Sequence, residues 1–250
     1  MKNLRLITNW SCNKRCSFCY QDKYDNNFLT LSDVKKLNLS GIENITIMGG
    51  EPLLNPEISD IVFYLRNQSS NFHINIDTNG MLLENNISVL INIDRLTIDM
   101  GFDKNNNPVK WFFKNTKLKK ILKHFRFKNR IKFNYVFSKV NENIFYEEFV
   151  KSAYLLKVDY PDSLINICED FINPPDKKYI DDFETSLIKK EYIEKYGLYI
   201  HTHCVLDKIG YFKKDNFENT DLIVYKKDGA IFQTNDFNTL LSSMKNIFDN

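Results

Sequence analysis

A chain of 250 residues suits one domain, or one domain with a small extension. Apolar residues at 43% and aromatics at 14% are enough for a sizeable core, which sets disorder aside. A formal net charge of +2 gives no reason to expect nucleic acid or a membrane as partner, and no apolar run nears a membrane span.

In chain order, Leu4 to Thr8 reads as a first strand. It leads into Trp10-Ser11-Cys12-Asn13-Lys14-Arg15-Cys16-Ser17-Phe18-Cys19-Tyr20, with the spacing C-x3-C-x2-C. Ser32 is the expected cap of a helix over Asp33 to Leu39. Asn44 to Met48 is a second strand and ends in Gly49-Gly50-Glu51-Pro52. A helix over Glu57 to Asn67 follows, with Ile58, Ile61, Val62 and Leu65 at helical spacing. Phe72 to Asp77 is a third strand, then Thr78-Asn79-Gly80 and a helix over Leu82 to Ile91.

Arg95 to Asp99, Ile131 to Phe137 and Leu164 to Cys168 complete the strands, with helices over Lys117 to Phe125 and Ile144 to Leu156 between them. Strands alternating with helices predict right-handed crossovers and a parallel sheet. The fold class expected is α/β: a partial (β/α)6 TIM-like barrel with its site at the strand C-termini. Asn173-Pro174-Pro175-Asp176 breaks the pattern and divides a core, 1–172, from a small α+β extension, 173–250. There Ile180, Phe183, Leu187, Ile188 and Tyr192 form a helical stripe. Leu222 to Tyr225 and Ala230 to Gln233 flank Lys227-Asp228-Gly229 as a hairpin, and Leu240 to Phe248 closes as a helix.

The cysteines carry the chemistry. Three thiolates cannot fill the four coordination positions of an iron–sulfur cube, so one iron stays open to a small chelating ligand. Structural zinc wants four N or S ligands, and the nearest later one, His73, lies on a predicted strand. Disulfides would leave one of the five cysteines unpaired, and no secretory segment precedes them. Such cysteines read as metal ligands in a reducing cytoplasm. Gly49 and Gly50 let backbone approach a ligand without a Cβ in the way, and Pro52 stiffens the turn. Thr97 and Asp99, two apart on a strand, point to one face. Thr78 and Asn79 occupy a comparable strand end. The plain alternative for these four is satisfaction of loop backbone.

Over the first 170 or so positions the sequence resembles the radical S-adenosylmethionine (SAM) enzymes. The resemblance rests on C-x3-C-x-Φ-C, with Phe18 at the aromatic position, and on Gly49-Gly50-Glu51-Pro52. It implies that Cys12, Cys16 and Cys19 hold three irons of a [4Fe–4S] cluster and that SAM chelates the fourth. It further implies that Gly49, Gly50 and Glu51 bind the SAM amino group and that Phe18 and Tyr20 lie near the adenine. Thr97 and Asp99 are similar to a family pair that meets the ribose and methionine portions. The implied reaction cleaves SAM reductively to methionine and a 5′-deoxyadenosyl radical, which abstracts hydrogen from a substrate. A flavodoxin or ferredoxin is the implied electron donor.

The substrate expected is a peptide or small protein. Many peptide-modifying members carry a cysteine-rich extension, and this one keeps a hairpin-and-helix pattern. Thr234 stands where a cysteine would be expected and none follows Cys204, so the extension reads as degenerate and metal-free. His201-Thr202-His203-Cys204 offers metal ligands or packs. Cys168 is a candidate hydrogen donor or a small buried hydrophobe. Lys104 to Val140 is rich in lysine and arginine and has no acid, which reads as a solvated face or a dock for an acidic peptide or nucleotide phosphate. Alternatives are a glycyl-radical-enzyme activase, against which Asp99-Met100-Gly101 departs from Asp-x-Lys, and a nucleotide- or small-molecule-modifying enzyme. A metal-binding regulatory module is the non-enzyme alternative; the intact cysteines together with Glu51 argue against it.

Overall fold

The computed structural model describes residues 2–19, 27–102, 108–124, 131–170, 173, 175–179, 200–202, 221–227 and 230–234. Its elements are β1 (Lys2–Ile7), α1 (Leu31–Val34), β2 (Ile42–Met48), α2 (Ile58–Gln68), β3 (His73–Thr78), α3 (Ile87–Ile91) and β4 (Arg95–Asp99). Then come α4 (Pro108–Lys114), α5 (Thr116–His124), β5 (Ile131–Phe137), α6 (Phe145–Asp159), β6 (Leu164–Glu169) and β7 (Ile200–Thr202). The hairpin β8 (Asp221–Lys227) and β9 (Ala230–Thr234) follows. Strands alternating with helices and an open, mostly parallel sheet make the fold α/β, the kind of sheet from which a partial barrel is built. Among the described residues no helix is long and apolar enough to cross a membrane.

The chain divides into two compact units. The first holds Met1–Arg15, Gln21–Thr97 and Asn216–Asn250, with strand order β9-β8-β1-β2-β3. β1 pairs in parallel with β2, with Arg5 beside Thr46, and on its other side with β8, with Arg5 beside Ile223. The hairpin was expected; its parallel seat against β1 was not. It is held there at Trp10, whose indole N–H donates to the Lys226 carbonyl at 3.0 Å and whose ring meets Tyr225 edge-on at 5.9 Å. The Lys226 ammonium lies 2.9 Å from the Asp33 carboxylate.

The core of this unit is aliphatic: Leu4, Leu6, Ile45, Ile47, Ile74 and Ile76 are buried on alternate strand positions, and α2 buries Ile58, Ile61, Val62 and Leu65. The expected Ser32 cap moves to Thr30. Thr30 and Asp33 form a capping box, the Asp33 N–H donating to the Thr30 hydroxyl and the Thr30 N–H to the Asp33 carboxylate. The resulting helix ends at Val34 rather than Leu39. The expected helix over Leu82 to Ile91 splits into a 3-10 turn at Leu83–Asn85 and α3.

The second unit, Cys16–Tyr20 and Ile98–Asp215, has strand order β5-β6-β7 and an aromatic core. The Phe145 ring stacks on Phe102, Phe137 and Phe149, with centroids 5.5, 4.4 and 5.8 Å away. Tyr135 packs edge-on against Phe149 at 5.0 Å, and its buried hydroxyl donates to Ser152 at 2.8 Å. α4 was not expected; Pro108 at its first position is the start signal that was passed over. The helices expected over 180–192 and 240–248 lie outside the described residues.

Candidate active site

The residues that lead into the first cysteine and the Gly-Gly-Glu-Pro turn are built against one another within the first unit. The Gly50 N–H donates to the Asn9 carbonyl at 2.9 Å and the Glu51 N–H to the Ser11 carbonyl at 2.8 Å. The Asn9 amide seals the pair, donating to the carbonyls of Ser11 at 2.9 Å and Glu51 at 3.0 Å. A methyl on Gly50 would stand 2.2 Å from the Ser11 oxygen and 2.7 Å from the Trp10 oxygen, and one on Gly49 would stand 2.5 Å from the Asn9 oxygen. The space the two glycines leave is taken by loop backbone. Their small size serves the seat of the loop that leads into the first cysteine.

Glu51 is fully buried. One carboxylate oxygen accepts from the Thr78 hydroxyl at 2.6 Å and the Leu53 N–H at 3.1 Å; the other accepts from the Asn79 N–H at 2.8 Å. It caps the 3-10 turn Pro52–Leu54 and ties the end of β3 to the turn after β2. Burial pushes the Glu51 carboxyl upward, against the pull of Thr78, Asn79, Leu53 and the Lys14 charge. Gly80, at φ +81°, closes the Thr78-Asn79-Gly80 turn, and its N–H donates to the Thr78 hydroxyl at 3.0 Å.

Asn79 brings this hub to the first cysteine. Its side-chain amide lies 2.7 Å from the Asn13 side-chain oxygen and 3.8 Å from the Cys12 sulfur, which also accepts from the Lys14 N–H at 3.3 Å. The Lys14 ammonium is buried with no hydrogen-bond partner. Asn9, Asn13 and Lys14 are site residues that sequence reasoning missed. Asn13 and Lys14 sit inside the cysteine spacing, which is the signal that pointed to them.

In the second unit, the Cys19 N–H donates to the Cys16 carbonyl at 3.0 Å, so these two close a turn. The half-buried Phe18 ring lies against Gly101, where a Cβ would stand 2.5 Å from it. Asp99 accepts from the Gly101 N–H at 3.3 Å. Cys168 is half-buried, and its thiol donates to the Asn134 side-chain oxygen at 3.0 Å. Thr97 is buried on the first unit's share of β4. Tyr20, His203 and Cys204 lie outside the described residues, as do the side chains of His201 and Thr234. In the basic stretch, Lys119 pairs with Asp159 at 2.6 Å, while Lys114, Lys117 and Lys120 lie exposed along α4 and α5.

Residues 8–148 match the family model described as Radical SAM superfamily. The chain belongs to the radical SAM superfamily. It is 30% identical over 92 residues to a probable GTP 3',8-cyclase of Methanocaldococcus jannaschii, covering 34% of this chain and 30% of that protein. It is 32% identical over 111 residues to a probable GTP 3',8-cyclase of Methanococcus aeolicus, covering 40% of this chain and 37% of that one. The matches thus span 30% and 37% of these relatives' lengths. A domain of pyruvate-formate lyase-activating enzyme from Bacteroides vulgatus has a TM-score of 0.43 at 20% identity, over 63% of this chain and 96% of that one.

The radical SAM superfamily uses a [4Fe–4S] cluster and SAM. Among the described residues no three His, Cys, Asp or Glu side chains already stand together as a metal site. The donor chemistry fits: Cys12, Cys16 and Cys19 are half-buried thiols outside any disulfide, and two N–H groups face the Cys12 sulfur as they would a cluster-bound thiolate.

Proposed function

We propose that this radical SAM chain cleaves SAM reductively and removes a hydrogen atom from a bound substrate. The observation that carries the reading is the double backbone bond from Gly50 and Glu51 to Asn9 and Ser11, which joins the two family motifs into one built structure. When bound, the cluster supplies the electron that splits SAM into methionine and a 5′-deoxyadenosyl radical. Cys12, Cys16 and Cys19 would hold that cluster as thiolates. The Gly49-Gly50-Glu51 turn receives the SAM amino group. Since the Gly50 and Glu51 N–H groups are taken by the loop, the turn meets an ammonium through its carbonyl oxygens and through the lone pairs left on Glu51. Phe18 and Tyr20 serve the adenine; Thr78, Asn79, Thr97 and Asp99 line the remainder.

A flavodoxin or ferredoxin, the general donor of radical SAM enzymes, delivers the electron in a cytoplasm that keeps the thiols reduced. For the substrate, the retained hairpin supports a peptide or small protein, with 173–250 shaping its pocket without a cluster. A nucleotide is the second reading, supported by the similarity to two probable GTP 3',8-cyclases. The half-buried Cys168 thiol, on a strand end, is the candidate hydrogen donor.

The test is anaerobic reconstitution followed by SAM, a strong reductant and quantification of 5′-deoxyadenosine. Product is expected from the native chain and none from the Cys12/Cys16/Cys19→Ala variant. A protein holding about four irons per chain that forms none overturns the reading.

A further inference from the structure

β1, β2, β3 and the start of β4 turn their aliphatic positions to one face and Asn3, Arg5, Asn44, Thr46, His73, Asn75 and Arg95 to the other. These polar residues line a cavity of about 480 Å³ within the first unit, in the range of small-molecule sites. Strands of a parallel barrel ordinarily fill such positions with bulky branched apolar side chains. Polar groups there are costly unless something satisfies them. Some are satisfied internally: the Asn44 amide donates to the Asn3 oxygen at 3.0 Å. Two are not. The Arg95 Nε and the Asn75 side-chain oxygen are buried without a hydrogen-bond partner, which leaves one donor and one acceptor waiting for a ligand.

Charge decides what kind of ligand. Among the described residues, two arginines and a histidine line the cavity and no acid does. A guanidinium presents a planar fork of donors that matches the oxygens of a phosphate. The Asn75 oxygen is placed for a donor elsewhere on the same molecule, such as a sugar hydroxyl. The strand register sets Arg5 beside Thr46 and Thr46 beside Asn75 in one row. Thr46 is two residues before Met48, which runs directly into Gly49-Gly50-Glu51. At about 3.3 Å per residue that row stands about 7 Å below the strand end. A molecule anchored in that row lies within about 7 Å, along the strands, of the turn that seats the approach to the first cysteine.

We infer that this cavity binds the phosphate of a small phosphorylated substrate, with Arg5 and Arg95 as the anion ligands and Asn75 accepting from its sugar or base. The inference rests on the radical SAM reading for the word substrate, and on the cavity alone for the phosphate.

The experiment is calorimetry on the reconstituted full chain with GTP, inorganic pyrophosphate, ribose 5-phosphate and guanosine. Binding by the phosphorylated compounds and none by guanosine is expected. GTP binding tighter than pyrophosphate assigns a nucleotide, and equal affinities assign a phosphate of any origin. Arg5→Gln and Arg95→Gln should each weaken binding about tenfold or more. Asn75→Asp sets a carboxylate in the cavity that Arg5 and Arg95 line, so it should keep or raise the melting temperature while abolishing binding. No binding of any phosphorylated compound by the folded chain, or binding that all three substitutions leave unchanged, overturns the inference. A chain that yields 5′-deoxyadenosine yet binds no phosphate overturns this site alone. One that binds phosphate and yields none upholds the site and removes the reaction.

Discussion

The two units solve the problem of a rigid strand end by different physics. In the first, aliphatic side chains fill the core, and the strand ends are locked by buried polar groups: Glu51, Asn9, Thr78 and Asn55, whose amide donates to the Leu29 carbonyl at 2.8 Å. In the second, rings do the work, with Phe102, Tyr135, Phe137, Phe145 and Phe149 packed into one cluster. Hydrogen bonds to backbone set positions to a few tenths of an ångström but tolerate no added atom. Ring packing supplies more energy and more slack. The recognised cysteine-loop and turn motifs join where the slack is least.

That contrast can be broken by five changes. The largest loss of stability should come from the ring cluster: Phe149→Ala is expected to cost about 3–5 kcal/mol in chemical denaturation. Next are two glycines that test backbone against side chain. Gly50→Ala drives a methyl into the Ser11 carbonyl, 2.2 Å away. It should cost about 1–3 kcal/mol and greatly reduce iron uptake on reconstitution. Gly101→Ala meets side-chain atoms only, the end of the Phe18 ring at 2.5 Å and an Asp99 carboxylate oxygen at 3.3 Å, and these can shift where backbone cannot. Its cost should stay under about 1 kcal/mol. Equal losses at the two glycines would erase the distinction.

Asp94 offers a smaller effect, legible in pH. It pairs with Arg66 and accepts from the Ile74 N–H at 2.8 Å. Burial raises its carboxyl, but these partners outweigh burial and hold it below the ordinary value of 3.8. A carboxyl lower in the folded than in the unfolded chain contributes stability above its unfolded value, and that stability is lost as pH falls through the folded value. Asp94→Asn should cost about 1 kcal/mol at neutral pH for this half-exposed pair. The urea midpoints of variant and native chain should converge below pH 3.8. Smallest of all is Cys168→Ser, whose hydroxyl can keep the bond to Asn134. Stability should change by less than about 1 kcal/mol. If the thiol donates hydrogen, 5′-deoxyadenosine still forms while the final product does not.

Much of this molecule was legible before any coordinates. The bounds of β4 and β5 came out as Arg95–Asp99 and Ile131–Phe137 because alternating apolar runs are a local signal. The start of α1 was misplaced because Thr30-Leu31-Ser32-Asp33 offers two hydroxyl residues, and only Thr30 lies three before an acid that completes the box. The helix over Leu82 to Ile91 broke at Asn86, whose side chain bonds back to the Leu82 carbonyl at 2.9 Å. The hairpin was readable from Lys227-Asp228-Gly229. Its partner was not, since β8 meets β1 across more than two hundred residues of chain.

By itself the sequence determined the α/β class, the three cysteines and the Gly-Gly-Glu-Pro turn, because spacing and periodicity are properties of neighbours along the chain. Only the tertiary structure decided what those residues face. It gave the glycines to loop backbone and the Glu51 carboxylate to Thr78, Leu53 and Asn79. It also gathered Arg5, Asn75 and Arg95, scattered over ninety positions, around one cavity. Parallel pairing brings distant residues into one row, and no local pattern records which strand will be the neighbour.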